Sequence, residues 1–147
     1  MGVILVIGTL GLVMTVLATT LLSAYQQIPN YGVVKAVSVG VYEDFECSAN
    51  VSYINWGALE PGTTSNFTVY VRNEGNIPLK LNMTTANWDP ISASKYITLK
   101  WNLEGRLINS SSVVPANLEL SVSPNIEDIV DFHFEIFIIG TEARRIN

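Results

Sequence analysis

The first 34 residues carry no charged side chain, and from Gly2 to Ala24 the chain is almost wholly apolar, with thirteen Val, Ile, Leu or Met. As a helix rising about 1.5 Å per residue, the stretch from Met1 to Ala24 would run about 36 Å, enough to cross the ~30 Å hydrocarbon core of a membrane. At about 1.5–3 kcal/mol per large apolar side chain, leaving it in water would cost on the order of 20–40 kcal/mol. The segment is therefore expected to be buried in lipid, in a protein core, or in both successively. No Lys or Arg precedes the run. Both a cleaved secretory signal and an ordinary signal anchor call for such a basic flank, although Leu22-Ser23-Ala24 has the small residues of a cleavage site. Prior removal of a short basic leader would account for the missing flank.

On a helical wheel, Gly2, Gly8, Thr9, Thr15, Thr19, Thr20 and Ser23 fall within one arc of roughly 140°, shared with Leu5, Leu12 and Val16, and the other face is nearly all large and apolar. Small and hydroxyl residues on one side let helix backbones approach closely, which makes Gly8, Thr15, Thr19 and Ser23 the candidate helix-packing residues. The competing reading is that an apolar helix tolerates Gly and Thr anywhere. Gln26, Gln27, Pro29, Asn30 and Gly32 break the pattern. The expected organisation is an apolar helix over 1–28, a hinge over 29–34 and a globular domain over 35–147.

Beyond Lys35 the hydrophobic period becomes two. Val37, Val39 and Val41 alternate with small residues, as do Phe67, Val69 and Val71, then Ile77, Leu79, Leu81 and Met83, with polar ones. Ile97, Leu99, Trp101 and Leu103 repeat the pattern, followed by Leu118, Leu120 and Val122, and by Phe132, Phe134, Ile136 and Ile138. With a short strand near Ile54 and Trp56, about seven strands are expected. Turns fall at Glu60-Pro61-Gly62, Asn73-Glu74-Gly75-Asn76, Asp89-Pro90, Glu104-Gly105 and Ser123-Pro124-Asn125. The tetrapeptide Asn73 to Asn76 is expected to close a hairpin between its flanking strands. The fold class is thus mainly β, an Ig-like antiparallel β-sandwich of about seven strands preceded by one long apolar N-terminal α-helix. Phe137 and Ile139 fall on the face that should be wet, where the N-terminal helix, a neighbouring subunit or a loop could cover them.

The formal net charge of -5, with only 8 Lys and Arg, excludes nucleic acid as a partner, since phosphate binding needs a basic footprint. A single cysteine, Cys47, rules out an intramolecular disulfide and reads as a small buried hydrophobe near a strand end rather than a reactive thiol. His133, the one histidine, lies beside Asp131 and Glu135 on a strand and reads as solvated. Nothing marks a nucleophile for it, so no catalytic residue, cofactor site or metal site is expected. The acidic groups Glu43-Asp44-Glu46 and Glu127-Asp128-Asp131 lack metal-loop spacing and read as charged loop ends. Four Asn-X-Ser/Thr sequons, at Asn50, Asn66, Asn82 and Asn109, exceed the roughly two that 13 Asn and 23 Ser/Thr would give by chance. They mark candidate N-glycans on a surface domain.

The segments Val39-Gly40-Val41-Tyr42, Ile54-Asn55-Trp56-Gly57, Leu59-Glu60-Pro61-Gly62 and Val69 to Asn76 resemble archaeal surface proteins that place one Ig-like domain after an N-terminal hydrophobic helix. More loosely, the architecture is similar to archaeal type IV pilins and archaellins, whose apolar helices bundle beneath β-sandwich heads. That resemblance implies a non-enzymatic filament subunit at the cell surface, self-associating as a homopolymer, reaching the membrane through its helix and carrying possible N-glycans. The alternative is a membrane-tethered extracellular domain that binds a protein or carbohydrate partner, with Tyr42, Tyr53, Tyr70, Trp88 and Tyr96 as candidate contacts.

Overall fold

The computed structural model describes residues 37–144, together with Ala24, Gln26 and Gly32. The chain divides between Val33 and Val34, and the second unit holds the fold set out below. The N-terminal helix, its candidate packing residues Gly8, Thr15, Thr19 and Ser23, and most of the hinge lie outside the described residues. Among the described residues no helix is long and apolar enough to cross a membrane.

The domain is mainly β and contains two antiparallel sheets. The strands are β1 (Val39–Tyr42), β2 (Thr64–Asn73), β3 (Leu79–Asp89), β4 (Ile97–Trp101), β5 (Leu107–Ile108), β6 (Val113–Val122) and β7 (His133–Glu142), with a short 3-10 helix over Ile91–Lys95. One sheet runs β1-β2-β6-β4 and the other β5-β3-β7. The period-two pattern sorts side chains as expected. Val69 and Val71 of β2, Leu79 and Leu81 of β3, and Ala116 and Leu118 of β6 pack with Leu103 and Ile108 in one buried cluster drawn from both sheets. Ala93, Ile97, Leu120 and Val122 form a second cluster, flanked by Trp88, Phe132 and Phe134.

Two expectations fail. Asn73 to Asn76 does not close a hairpin: β2 pairs with β1 and β6, whereas β3 pairs with β5 and β7, so the tetrapeptide carries the chain from one sheet to the other. The reason is Asn73, whose side chain is fully buried. Its Nδ2 donates to the carbonyls of Ile77 (2.7 Å) and Ile108 (3.3 Å), and its Oδ1 accepts from the Gly75 amide at 3.0 Å. Ser110 Oγ donates to the Gly75 carbonyl at 2.6 Å, and the Glu74 amide donates to Ser38 at 2.9 Å. These hydrogen bonds tie the corner to both sheets, which a two-strand hairpin would not require.

The second failure is the strand near Ile54 and Trp56. Residues 51–59 pair with nothing regular, although Val51, Ile54, Trp56 and Leu59 remain half-buried against the clusters. The strand count is kept instead by β5, a two-residue strand beside Leu79 and Lys80. At the other margin, a Cβ on Gly140 would lie 2.5 Å from Val39 Cγ2 and 2.8 Å from Leu79 Cδ1. Only glycine lets β7 come this close to β1.

Candidate functional site: the two outer sheet faces

The two sheets present unlike outer faces. On the four-stranded sheet, Thr64, Asn66 and Thr68 of β2 lie exposed beside Asn117, Thr98 and Lys100. Asn117 Nδ2 donates to Asn66 Oδ1 at 3.1 Å. Toward the β1 edge, Tyr42 donates a short hydrogen bond to Glu74, and Phe45 meets Tyr70 edge-on with centroids 6.1 Å apart. A Cβ on Gly40 would collide with Glu74 and Tyr42, so this corner is closed by glycine.

On the three-stranded sheet the outer face alternates between polar and apolar. Lys80, Asn82, Thr84 and Ala86 of β3 stand opposite Thr141, Ile139, Phe137 and Glu135 of β7. Phe137 and Ile139 are each 43% exposed, and Leu107 of β5 is 61% exposed. Among the described residues no loop buries these side chains.

Glu104 fixes the near end of this face. Its carboxylate accepts from Asn82 Nδ2 (2.7 Å), Trp101 Nε1 (2.7 Å) and the Met83 amide (3.2 Å). The Asn82 and Trp101 hydrogen bonds hold the Glu104 carboxyl below the ordinary glutamate range, because they favour the charged form. In the loop after β1, Asp44 plays a similar part. Ser48 donates to it through Oγ at 2.6 Å and through its amide at 3.0 Å, and these bonds lower its pKa in that order.

The four sequons are not equivalent. Asn50, Asn66 and Asn109 are exposed, on the bridge to Tyr42, on β2 and just after β5 respectively. Asn82 is half-buried, and the amide nitrogen that would carry a glycan is the one held by Glu104. Sequence reasoning could rank none of them, since Glu104 lies 22 residues from Asn82.

The remaining sequence candidates separate. His133 Nε2 stands 4.0 Å from Asp89 with both side chains 74% exposed, on the solvated strand position expected. Cys47 is not buried in the core: it is half-exposed in the 43–49 loop with a φ of 59°. The Asp44 carbonyl that accepts from its amide at 3.1 Å folds the loop back before the chain can reach the core. Among the described residues no group of three or more His, Cys, Asp or Glu could hold a metal ion. The candidate aromatics do not form one cluster. Tyr42 and Tyr70 share a sheet face, Trp88 stacks on Phe134 at 4.1 Å, and Tyr53 is 78% exposed beside a groove. That groove, of about 580 Å³, runs along β7 and is floored by the buried Val69 and Leu118. No protein-family model, curated protein or solved structure matches the chain.

Proposed function

We propose that the chain is a non-enzymatic structural subunit of the cell surface. In this reading the apolar segment up to Ala24 enters the membrane and then bundles with its copies into a filament core. An Ig-like β-sandwich, bearing N-glycans, forms the outer wall of a pilin-like homopolymer. The division into sheets of four and three strands around a shared core supports the Ig-like part. The observation that carries the assembly part is the outer face of β7, where Phe137 and Ile139 remain 43% exposed on a regular, well-packed strand. Exposed apolar side chains in that arrangement suit a contact surface. Electron microscopy of cell-surface preparations tests the proposal. Filaments labelled by an antibody to the domain are the expected result, and a protein found solely as a dispersed membrane monomer sinks it.

The groove beside Tyr53 favours a second reading, a membrane-tethered domain that holds a carbohydrate. An exposed aromatic over an apolar trough can stack on a sugar face. Tyr53→Ala would then abolish glycan retention by the full chain while leaving its melting temperature unchanged.

A further inference from the structure

We propose that the outer face of the four-stranded sheet is a carbohydrate bed, on which the N-glycan carried by Asn66 lies down against its own domain. The inference rests on the N-glycan part of the reading above and names what that glycan touches. Period-two alternation leaves this face wholly polar over Thr64 to Thr68 of β2 and over the parts of β6 and β4 that pair beside it. Asn66 stands in the middle row. Glu119 lies opposite it and Lys100 lies opposite Glu119, so the row runs Asn66, Glu119, Lys100 across three strands. Ser121 and Thr98 continue the row on one side, and Asn117 that on the other. With strands about 4.8 Å apart, Lys100 is on the order of 10 Å from Asn66, within reach of a disaccharide.

One hydrogen bond aims the sugar. Asn117 Nδ2 donates to Asn66 Oδ1 at 3.1 Å, and Asn117 is itself held through its backbone amide, which donates to Asn102 Oδ1 at 2.8 Å. The Asn66 oxygen is thus engaged, and its nitrogen is the atom left to carry a glycan. At Asn82 the roles are reversed, since Glu104 takes the nitrogen. Attachment joins Asn66 Nδ2 to the anomeric carbon of a lipid-phosphate-linked oligosaccharide. The bond from that carbon to the phosphate oxygen breaks, the phosphate leaves with the electron pair, and the amide gives up one proton. The product is a planar secondary amide, whose new substituent prefers the position trans to Cβ and therefore on the same side as Oδ1. Because Oδ1 is turned toward Asn117, the first sugar starts over β6. The opposite flank offers no such floor, since β1 pairs only with residues 70–73 of β2.

The chemistry of the bed suits a polyol. Glu119 accepts hydrogen bonds and Lys100 donates them, so ring hydroxyls find both partners in one row. A free sugar would gain little here, because each such bond replaces one to water. A glycan attached at Asn66 has already lost its freedom to diffuse, and it meets the row at an effective concentration of order millimolar or above. Weak polar contacts then suffice to hold it down.

The test compares the full chain from its native cells with the same chain from a host that adds no N-glycans, with glycopeptide mass spectrometry reporting which sites are occupied. Thr68→Val deletes the Asn66 sequon and keeps Asn66 itself. It should lower the melting temperature of the native-cell protein by about 3–6 °C more than that of the glycan-free protein. Ser52→Ala and Ser111→Ala, which delete the sequons at Asn50 and Asn109, should show no such difference between the two sources. In the native-cell protein, Lys100→Ala and Asn117→Ala should each remove part of the glycan-dependent shift, with the Asn66 glycan still attached. An Asn66 glycan without that shift, or a shift indifferent to both substitutions, overturns the bed and leaves the glycosylated wall standing. A bare Asn66 in native protein overturns the bed and the glycan at that site together. The expected shift in a protein that forms no filaments upholds the bed and sinks the assembly reading.

Discussion

A single buried amide decides how the two sheets are joined. Asn73 satisfies three backbone groups at the corner between β2 and β3, and its replacement leaves those groups dry and unpaired. Asn73→Leu should therefore cost about 3 kcal/mol or more, at roughly 1–3 kcal/mol for each of the three orphaned groups, whereas Glu74→Gln nearby stays within about 1 kcal/mol. Denaturant titration of the two variants checks the contrast. At Gly140 the issue is room rather than hydrogen bonding. Gly140→Ala must push Val39 or Leu79 aside and should cost about 1–3 kcal/mol. Glu104 adds a pH dependence. Its folded pKa is lowered from the ordinary 4.5, so its contribution is fully present above that value and is lost as pH falls through the folded one. The melting-temperature gap between the wild type and Glu104→Gln should be widest near neutrality and close as pH falls below the ordinary glutamate range. None of these three roles was legible in the sequence, because each depends on a partner distant in the chain. Asn-Glu-Gly-Asn has the composition of a hairpin turn, and burial of its first residue is visible only once Ile108 and Ser112 arrive beside it.

At the scale of elements, the sequence was most informative where alternation was strict. The strands containing Val69, Leu81, Leu99, Leu120 and Ile136 lie where the period places them, since one face of each meets the shared core. It was least informative where burial occurs without pairing. Ile54 and Trp56 alternate like a strand and pack against the core, yet residues 51–59 make no ladder, because alternation reports burial and not hydrogen bonding. The Leu107–Ile108 strand is too short to carry any pattern. The sequons illustrate the same limit. If glycosylation follows access, occupancy should be high at Asn50, Asn66 and Asn109 and low at Asn82. Glu104→Ala, which frees the Asn82 amide, should raise occupancy there. Site-resolved glycopeptide mass spectrometry of native protein gives both numbers. Equal occupancy at all four sites would show that the sequons are modified before the fold forms.

For the whole molecule, the proposed function turns on whether the N-terminal segment would merely anchor or would also assemble. An anchor requires lipid exposure alone, so residue size on any face is immaterial. A bundled core repeats each contact in every subunit, and added volume costs about 1–3 kcal/mol at every copy. Gly8→Leu and Thr15→Leu should therefore preserve membrane insertion and abolish filament yield, while Leu10→Ile on the opposite face is mild. Equal yields from all three variants would leave tethering as the better account.

The short pairing of β1 with β2 also determines how the domain bears load. Among the described residues β1 is the first strand after the N-terminal segment, and its four register partners run from Val39↔Asn73 to Tyr42↔Tyr70. Tension transmitted through that segment enters the fold at Val39. Drawn along the strand axis, it strains the transverse hydrogen bonds together, so they resist in shear. Drawn across the sheet, it peels them singly, beginning beside Asn73. The residue that locks the corner between the sheets thus stands at the first point of mechanical failure, and its hydrogen bonds to Ile77 and Ile108 would spread a pull on one sheet into the other.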